Sequence, residues 1–151
     1  MKKIVGVIGG ASVDAGLYEL AREVGRGLAE NGLVLVTGGR TGVMEAASRG
    51  AKEKGGLVIG ILPGDSREQA NPYVDIPIVT GLGIARNILI VRTAQVVIAI
   101  DGGYGTLSEL AFALQLGKPV IGLHTREIDE NIHTVETPEK AVQLALKFLE
   151  Y

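Results

Sequence analysis

The stretch from Val96 to Leu110, VVIAIDGGYGTLSEL, decides the fold. Its first five residues are apolar and mostly β-branched, which is typical of a strand buried on both faces. Three glycines then occupy positions 102, 103 and 105, and a helix-forming run that contains Glu109 follows. A buried strand joined to a helix is the repeating unit of parallel α/β sheets. The glycines suit either a tight connection or a turn that holds a phosphate group.

The rest of the chain repeats this strand–helix pattern. Apolar runs predict further strands at KIVGVIG, LVLVTGG, LVIGILPG, PIVT and PVIGL, and the intervening segments predict helices at 17–31, 42–56, 82–93 and 106–117. Thr137, Pro138 and Glu139 open a final helix as N-cap, first-turn proline and acid at the positive helix end. The polar segments 64–76 and 124–136 are predicted to be loops, the first a candidate for mobility and the second solvated.

Crossovers of this length between apolar strands predict parallel βαβ units. Because every predicted strand is apolar on both faces, we expect helices on both sides of the sheet. The prediction is an α/β fold with a three-layer, doubly wound open parallel sheet of the Rossmann-like type, in a single domain of residues 1–151. A barrel would need about eight such units and a longer chain.

The composition excludes several classes of site. The chain of 151 residues has a formal net charge of -2 and no cysteine. It therefore lacks the basic footprint of a nucleic-acid or anionic-membrane partner, and it has no disulfide, thiolate metal site or cysteine nucleophile. His124 and His133 lie in no metal-ligand pattern, and no apolar stretch approaches the roughly 20 residues that a membrane helix needs. We expect a cytoplasmic protein with no metal, nucleic-acid or membrane partner.

Three glycine clusters follow predicted strands and precede predicted helices. They are Gly9 with Gly10, Gly38 with Gly39, and Gly102 and Gly103 with Gly105. Ligands of open α/β sheets bind at the carboxyl ends of the strands, and free N–H groups at helix starts hold phosphate. A tight connection explains any single cluster about equally well, but three clusters at one edge favour a phosphate site. No Gly-Lys-Ser/Thr follows, the GxGxxG match is poor, and Thr37 stands where an NAD site needs an acid, so a standard NAD(P) site is not expected.

Five polar residues near these clusters are candidates for the site. Arg40 and Arg86 suit bidentate phosphate binding, although surface ion pairs are the commoner role of arginine. Glu109, expected in the first turn or so of its helix, is either an acid favoured by the helix dipole or a carboxylate at the pocket mouth. Asp101 would have to point away from a phosphate, pair with a cation or contact a sugar. Ser12 suits phosphate binding and helix capping equally.

Two motifs together resemble the LOG-like superfamily over roughly residues 3–123. GGYGTLSE at 102–109 resembles GGxGTxxE, and TGGRTGVMEAA at 37–47 resembles GGGxxGLM. The superfamily includes cytokinin riboside monophosphate phosphoribohydrolases and molybdenum-cofactor carriers. The resemblance implies a phosphorylated ligand on the loop that includes Tyr104 and Thr106, and, in the hydrolase branch, catalysis by Arg86 and Glu109. It implies a homo-oligomer and no required cofactor, with a nucleotide or the molybdenum cofactor as the bound ligand.

Three departures place the chain closer to the carrier branch. Asp101 stands where the hydrolases have proline, Asn87 where they usually have lysine, and Arg40 in place of the third glycine of GGG. The first hypothesis is therefore a protein that binds a phosphorylated nucleotide- or pterin-like ligand at the carboxyl edge of the sheet. The alternative is a nucleoside 5'-monophosphate phosphoribohydrolase. A DNA-handling role ranks third because the chain has no basic-aromatic stripe.

Overall fold

A seven-stranded, fully parallel sheet forms the centre of the computed structural model, which describes residues 1–150. The strands are β1 (Ile4–Gly9), β2 (Val34–Thr37), β3 (Val58–Leu62), β4 (Ile76–Val79), β5 (Val96–Ile100), β6 (Val120–Leu123) and β7 (Ile132–Val135). They lie side by side in the order β4-β3-β2-β1-β5-β6-β7. The order reverses between β1 and β5, and this reversal opens a crevice at the carboxyl edge of the sheet.

Helices cover both faces of the sheet, so the predicted three-layer, doubly wound architecture is confirmed. Within residues 1–150 the α-helices are α1 (Ala15–Glu30), α2 (Val43–Glu53), α3 (Asn87–Thr93), α4 (Tyr104–Gln115) and α5 (Pro138–Phe148). Two short 3-10 helices, Arg67–Gln69 and Gly83–Arg86, complete the set. One core joins α1, α2 and α5 to the sheet, and a second joins α3 and α4 to its other face.

Strand β5 shows why the sequence produces two cores. Its side chains alternate between the faces, so Val96, Ile98 and Ile100 enter the first core while Val97 and Ala99 enter the second. All five residues are buried, as the unbroken apolar run predicts.

Both edges of the sheet differ from the prediction. Strand β7 lies in segment 124–136, which was predicted to be a loop, and pairs in parallel with β6. Only Ile132 of this strand is fully buried, whereas His133 and Thr134 are exposed, so the strand carries no continuous apolar signal. At the other edge β4 is largely exposed, and so it is not apolar-packed on both faces as expected.

Segment 64–76 is fastened to the loop after β2. The N–H of Asn71 donates to the carbonyl oxygen of Gly39 at 2.9 Å, and its side-chain Nδ2 donates to the carbonyl oxygen of Arg40 at 2.8 Å. Arg40 Nη1 donates in return to the carbonyl oxygen of Gln69 at 2.9 Å. Hydrogen bonds thus anchor this segment, which was predicted to be a loop and a candidate for mobility, and its last residue already belongs to β4.

Candidate functional site

A cavity of about 440 Å³ lies at the carboxyl edge, where the strand order reverses. Eight of the residues predicted from sequence line it: Gly9, Gly10, Gly38, Arg86, Gly103, Gly105, Thr106 and Glu109. Apolar side chains, among them Met44, Pro63 and Ile84, complete its wall. The structure therefore brings at least one glycine of each cluster to one site, in line with the argument from strand ends.

Six predicted residues are absent from the wall of this cavity in the part of the chain that the structure describes: Ser12, Gly39, Arg40, Asp101, Gly102 and Tyr104. Ser12 is exposed and does not cap α1, because the Asp14 side chain accepts the N–H of Leu17. Arg40 is engaged by the backbone of Gln69. Tyr104 is 87% exposed.

Two of the glycines are required by the fold itself. A Cβ on Gly9 would lie 2.2 Å from the carbonyl oxygen of Ile100, so only glycine lets β1 approach the end of β5. Gly102 has φ +132°, and a Cβ there would lie 2.4 Å from the Thr106 side chain. The preceding residue, Asp101, has φ 54°, in the left-handed region that few non-glycine residues adopt.

Gly103 and Gly105 are glycines for which the fold gives no such reason. A Cβ on Gly103 would meet no heavy atom within 4 Å, and one on Gly105 would have the Asn87 amide 3.9 Å away as its nearest contact. Gly103 has a negative φ of -106°, and its ψ of -148° lies outside the commonest regions. Both face the cavity. Their lack of side chains keeps free the space in front of the first turn of α4.

No side chain of the described residues caps the start of α4. Gly103 is the N-cap and offers no side-chain hydrogen bond to the helix. The first N–H groups of a helix have no partner within the helix, and the helix dipole adds partial positive charge there. The cavity thus meets a helix start that is suited to an anion.

Backbone oxygens and an amide hold Arg86 in place. Its Nε donates to the carbonyl oxygen of Ile61 at 2.9 Å, and its Nη2 donates to that of Gly38 at 3.4 Å. Nη1 donates to Oδ1 of Asn87. Partial burial lowers the pKa of Arg86, the nearby carboxyl of Glu109 opposes that change, and Arg40 adds to it. Arg86 brings a fixed positive charge to the cavity.

Glu109 is a buried carboxyl group in the wall of the cavity. It lies in the second turn of α4, where the first turn or so was expected, and only 7% of it is exposed. Burial raises the pKa of Glu109 to about 7, and the charge of Arg86 limits the rise. A carboxyl group that titrates near neutrality can both donate and accept a proton, which is the property that general acid–base catalysis requires.

Asn87 is a cavity residue whose importance was missed in the sequence. Its side chain is 1% exposed and contacts both Arg86 and α4. The only signal was its position directly after Arg86, where it counted as a departure from the hydrolases.

Residues 1–150 contain neither a metal-binding cluster nor a helix that could span a membrane. The structure there holds no group of three or more histidine, cysteine or carboxylate residues that could bind a metal ion. Across the same residues, every helix is too short or too polar to cross a membrane.

The SLOG cluster4 family model matches residues 2–148. The molybdenum cofactor binding protein from the phototrophic bacterium Rippkaea orientalis superposes with a TM-score of 0.93, at 41% identity, covering 99% of this chain and 98% of that chain. The molybdenum cofactor carrier protein from Chlamydomonas reinhardtii superposes with a TM-score of 0.92, at 37% identity and full coverage of both chains.

A hydrolase is also among the similar sequences. The cytokinin riboside 5'-monophosphate phosphoribohydrolase of Mycobacterium tuberculosis is 36% identical over 117 residues, which are 76% of this chain and 62% of the hydrolase. The aligned part thus spans less than two thirds of that enzyme. Together these similarities support a ligand-binding or phosphoribohydrolase-like function.

Proposed function

Because the chain belongs to the SLOG cluster4 family, within the LOG-like superfamily and close to the molybdenum-cofactor carrier branch, we propose that it binds a phosphorylated nucleotide- or pterin-like ligand. The ligand's phosphate lies at the start of α4, and its ring system lies along the apolar wall formed by Met44, Pro63 and Ile84. No further cofactor is required.

The open space beside Gly103 and Gly105 is the observation that carries this proposal. Gly105 lies within α4, where glycine is less favourable than alanine by roughly 1 kcal/mol, so its use there needs a reason. Packing supplies none at either position, because a Cβ on Gly103 would meet no heavy atom within 4 Å and one on Gly105 only the Asn87 amide at 3.9 Å. Close approach of a ligand to the uncapped N–H groups of α4 supplies one.

Hydrolysis of a nucleoside 5'-monophosphate is the second candidate, and Glu109 is the observation that favours it. Water would add to C1' of the ribose while the bond from C1' to the base nitrogen breaks, and the base would leave with that electron pair and take up a proton. The products are the free base and ribose 5-phosphate. Positive charge develops on the ribose in such a reaction, and a carboxylate beside C1' stabilises it and orients the water.

Incubation with AMP separates the two candidates. Release of adenine and ribose 5-phosphate by the wild type, and its loss in Glu109→Gln, would establish hydrolysis and exclude a pure carrier. We expect instead that AMP or molybdopterin binds without turnover. Glu130→Gln, which changes an exposed carboxylate far along the chain from α4, is the matched control. If neither compound binds, the proposed site is wrong.

A further inference from the structure

The buried amide of Asn87 joins two parts of the cavity wall. It lies where the 3-10 helix Gly83–Arg86 passes into α3. Its Oδ1 accepts from Nη1 of Arg86, and its Nδ2 donates to Ser108 Oγ at 3.1 Å and to the carbonyl oxygen of Gly105 at 3.5 Å. Asn87 thus links the cation of the cavity to the first turns of α4.

The hydrogen bonds of this network run in one direction, from Arg86 through Asn87 to Ser108. A guanidinium group only donates, so the amide oxygen of Asn87 must face Arg86 and the amide nitrogen must face α4. The Ser108 hydroxyl then donates onward to the carbonyl oxygen of Gly105 at 2.6 Å. Aspartate at position 87 would lack the donor, and lysine would lack the acceptor. An amide satisfies both ends.

The other hydrogen bonds of Arg86 join it to the opposite side of the cavity. Its Nε and Nη2 bind the carbonyl oxygens of Ile61, in β3, and Gly38, which follows β2. Asn87 is the side chain that connects the guanidinium to α4, the helix that carries Glu109.

We propose that Asn87 is a positioning residue that holds the Arg86 guanidinium against α4, so that its charge acts on the carboxyl group of Glu109. The proposal rests on the proposed function only in taking this cavity as the ligand site. It gives position 87 a role that is specific to an amide and distinct from ligand contact.

Titration of Glu109 in the ligand-free protein tests this role. The protein is labelled with ¹³C at its glutamate carboxyl carbons, and the Glu109 signal is assigned with Glu109→Gln. Because Arg86 lowers the pKa of Glu109, Asn87→Ala should raise that pKa by roughly 0.5 unit. An unchanged Glu109 titration in folded Asn87→Ala would overturn the proposal.

Thr93→Val is the matched control for loss of a side-chain hydrogen bond in the same helix. Thr93 Oγ1 donates to the carbonyl oxygen of Leu89 at 2.6 Å. Thr93 is not among the described residues that line the cavity. We expect the Glu109 titration to be the same in this variant as in the wild type.

A second pair of variants asks whether Asn87 acts through Arg86. In the background Arg86→Gln, the further change Asn87→Ala should leave the Glu109 titration where it is. If Asn87→Ala shifts the titration equally in both backgrounds, Asn87 acts directly on Glu109, and the positioning role is wrong.

The wild type alone supplies a test that needs no variant to fold. A guanidinium held at Nε, Nη1 and Nη2 rotates slowly, so separate ¹⁵N signals are expected for the two terminal nitrogens of Arg86 at low temperature. A single averaged signal would overturn the proposal. Failure of AMP to bind the wild type would count against the proposed function and leave these ligand-free results standing.

Discussion

Neighbouring glycines in the GGYG turn differ in their steric surroundings. Gly102 has a backbone conformation that other residues rarely adopt, and any side chain there would meet Thr106. Gly103, one residue later, has a negative φ of -106° and open space before it. The sequence alone does not separate them, because the difference lies in the direction of each missing Cβ. The fold therefore requires glycine at position 102, whereas Gly103 stays a candidate for ligand contact.

Substitutions at Gly102 and Gly103 should therefore affect different properties, stability at Gly102 and binding at Gly103. Gly103→Val should weaken AMP binding at least tenfold, because the side chain fills the space at the start of α4, and should lower the free energy of unfolding by about 1 kcal/mol, since valine is a poor N-cap. Gly102→Ala should lower the free energy of unfolding by about 1–3 kcal/mol through backbone strain and overlap. Calorimetric binding and urea denaturation measure both. Unimpaired AMP binding by Gly103→Val would move the phosphate away from α4.

Helices α1 and α2 make a close backbone contact. A Cβ on Gly25 of α1 would lie 2.0 Å from the carbonyl oxygen of Ala47, and one on Gly50 of α2 would lie 1.9 Å from that of Arg22. Glu53 of α2 strengthens the pair, accepting from Nε of Arg22 and from Nε of Arg26. The contact holds α2, whose Met44 lines the cavity, against the sheet.

Alanine at Gly25 should therefore be destabilising even though alanine is the better helix former. We expect Gly25→Ala to lower the free energy of unfolding by about 1–3 kcal/mol, because the helices must separate to admit the methyl group. Gly16→Ala, in the same helix, is the control: its Cβ would lie 3.4 Å from the nearest atom, so the change should be neutral or stabilising by up to about 1 kcal/mol. Equal effects in denaturant unfolding would contradict this account.

The elements differ in how far the sequence predicts them. Strand β5 was predictable because both its faces are buried in apolar cores. Strand β7 was not, since one buried isoleucine between exposed residues carries no periodic signal. The bridge from Asn87 to Ser108 was also beyond prediction, because it joins side chains 21 residues apart that meet only in the folded chain. Local pattern thus reveals the glycine clusters, and tertiary contact decides which of their neighbours form the site.

At the scale of the whole molecule, the buried carboxyl group of Glu109 makes stability depend on pH. Its folded-state pKa of about 7 lies above its ordinary value of 4.5, so the folded protein binds the proton more tightly than the unfolded chain. Stability should therefore fall as pH rises from about 4.5 to about 7, by at most about 3 kcal/mol, and level off above. Urea denaturation across this range measures it.

Glu109→Gln should flatten this part of the pH profile and be more stable than the wild type at pH 8, whereas Glu130→Gln should keep the wild-type slope. Identical slopes in Glu109→Gln and the wild type would show that the carboxyl group titrates alike in the folded and unfolded states.

The homo-oligomer that the resemblance implies stays a prediction. Leu82 and Ile84 are exposed apolar side chains, at 54% and 70%, and Ile84 also lines the cavity.

The left-handed backbone of Asp101 restricts which residues can occupy this position. Proline fixes φ near -65°, whereas Asp101 has φ 54°. The proline that the hydrolases carry at this position therefore cannot replace Asp101 without a new path for the chain between β5 and α4. Asp101→Pro alone would therefore not preserve the turn that leads from β5 into α4. The residue at position 101 and the path of this turn would have to change together.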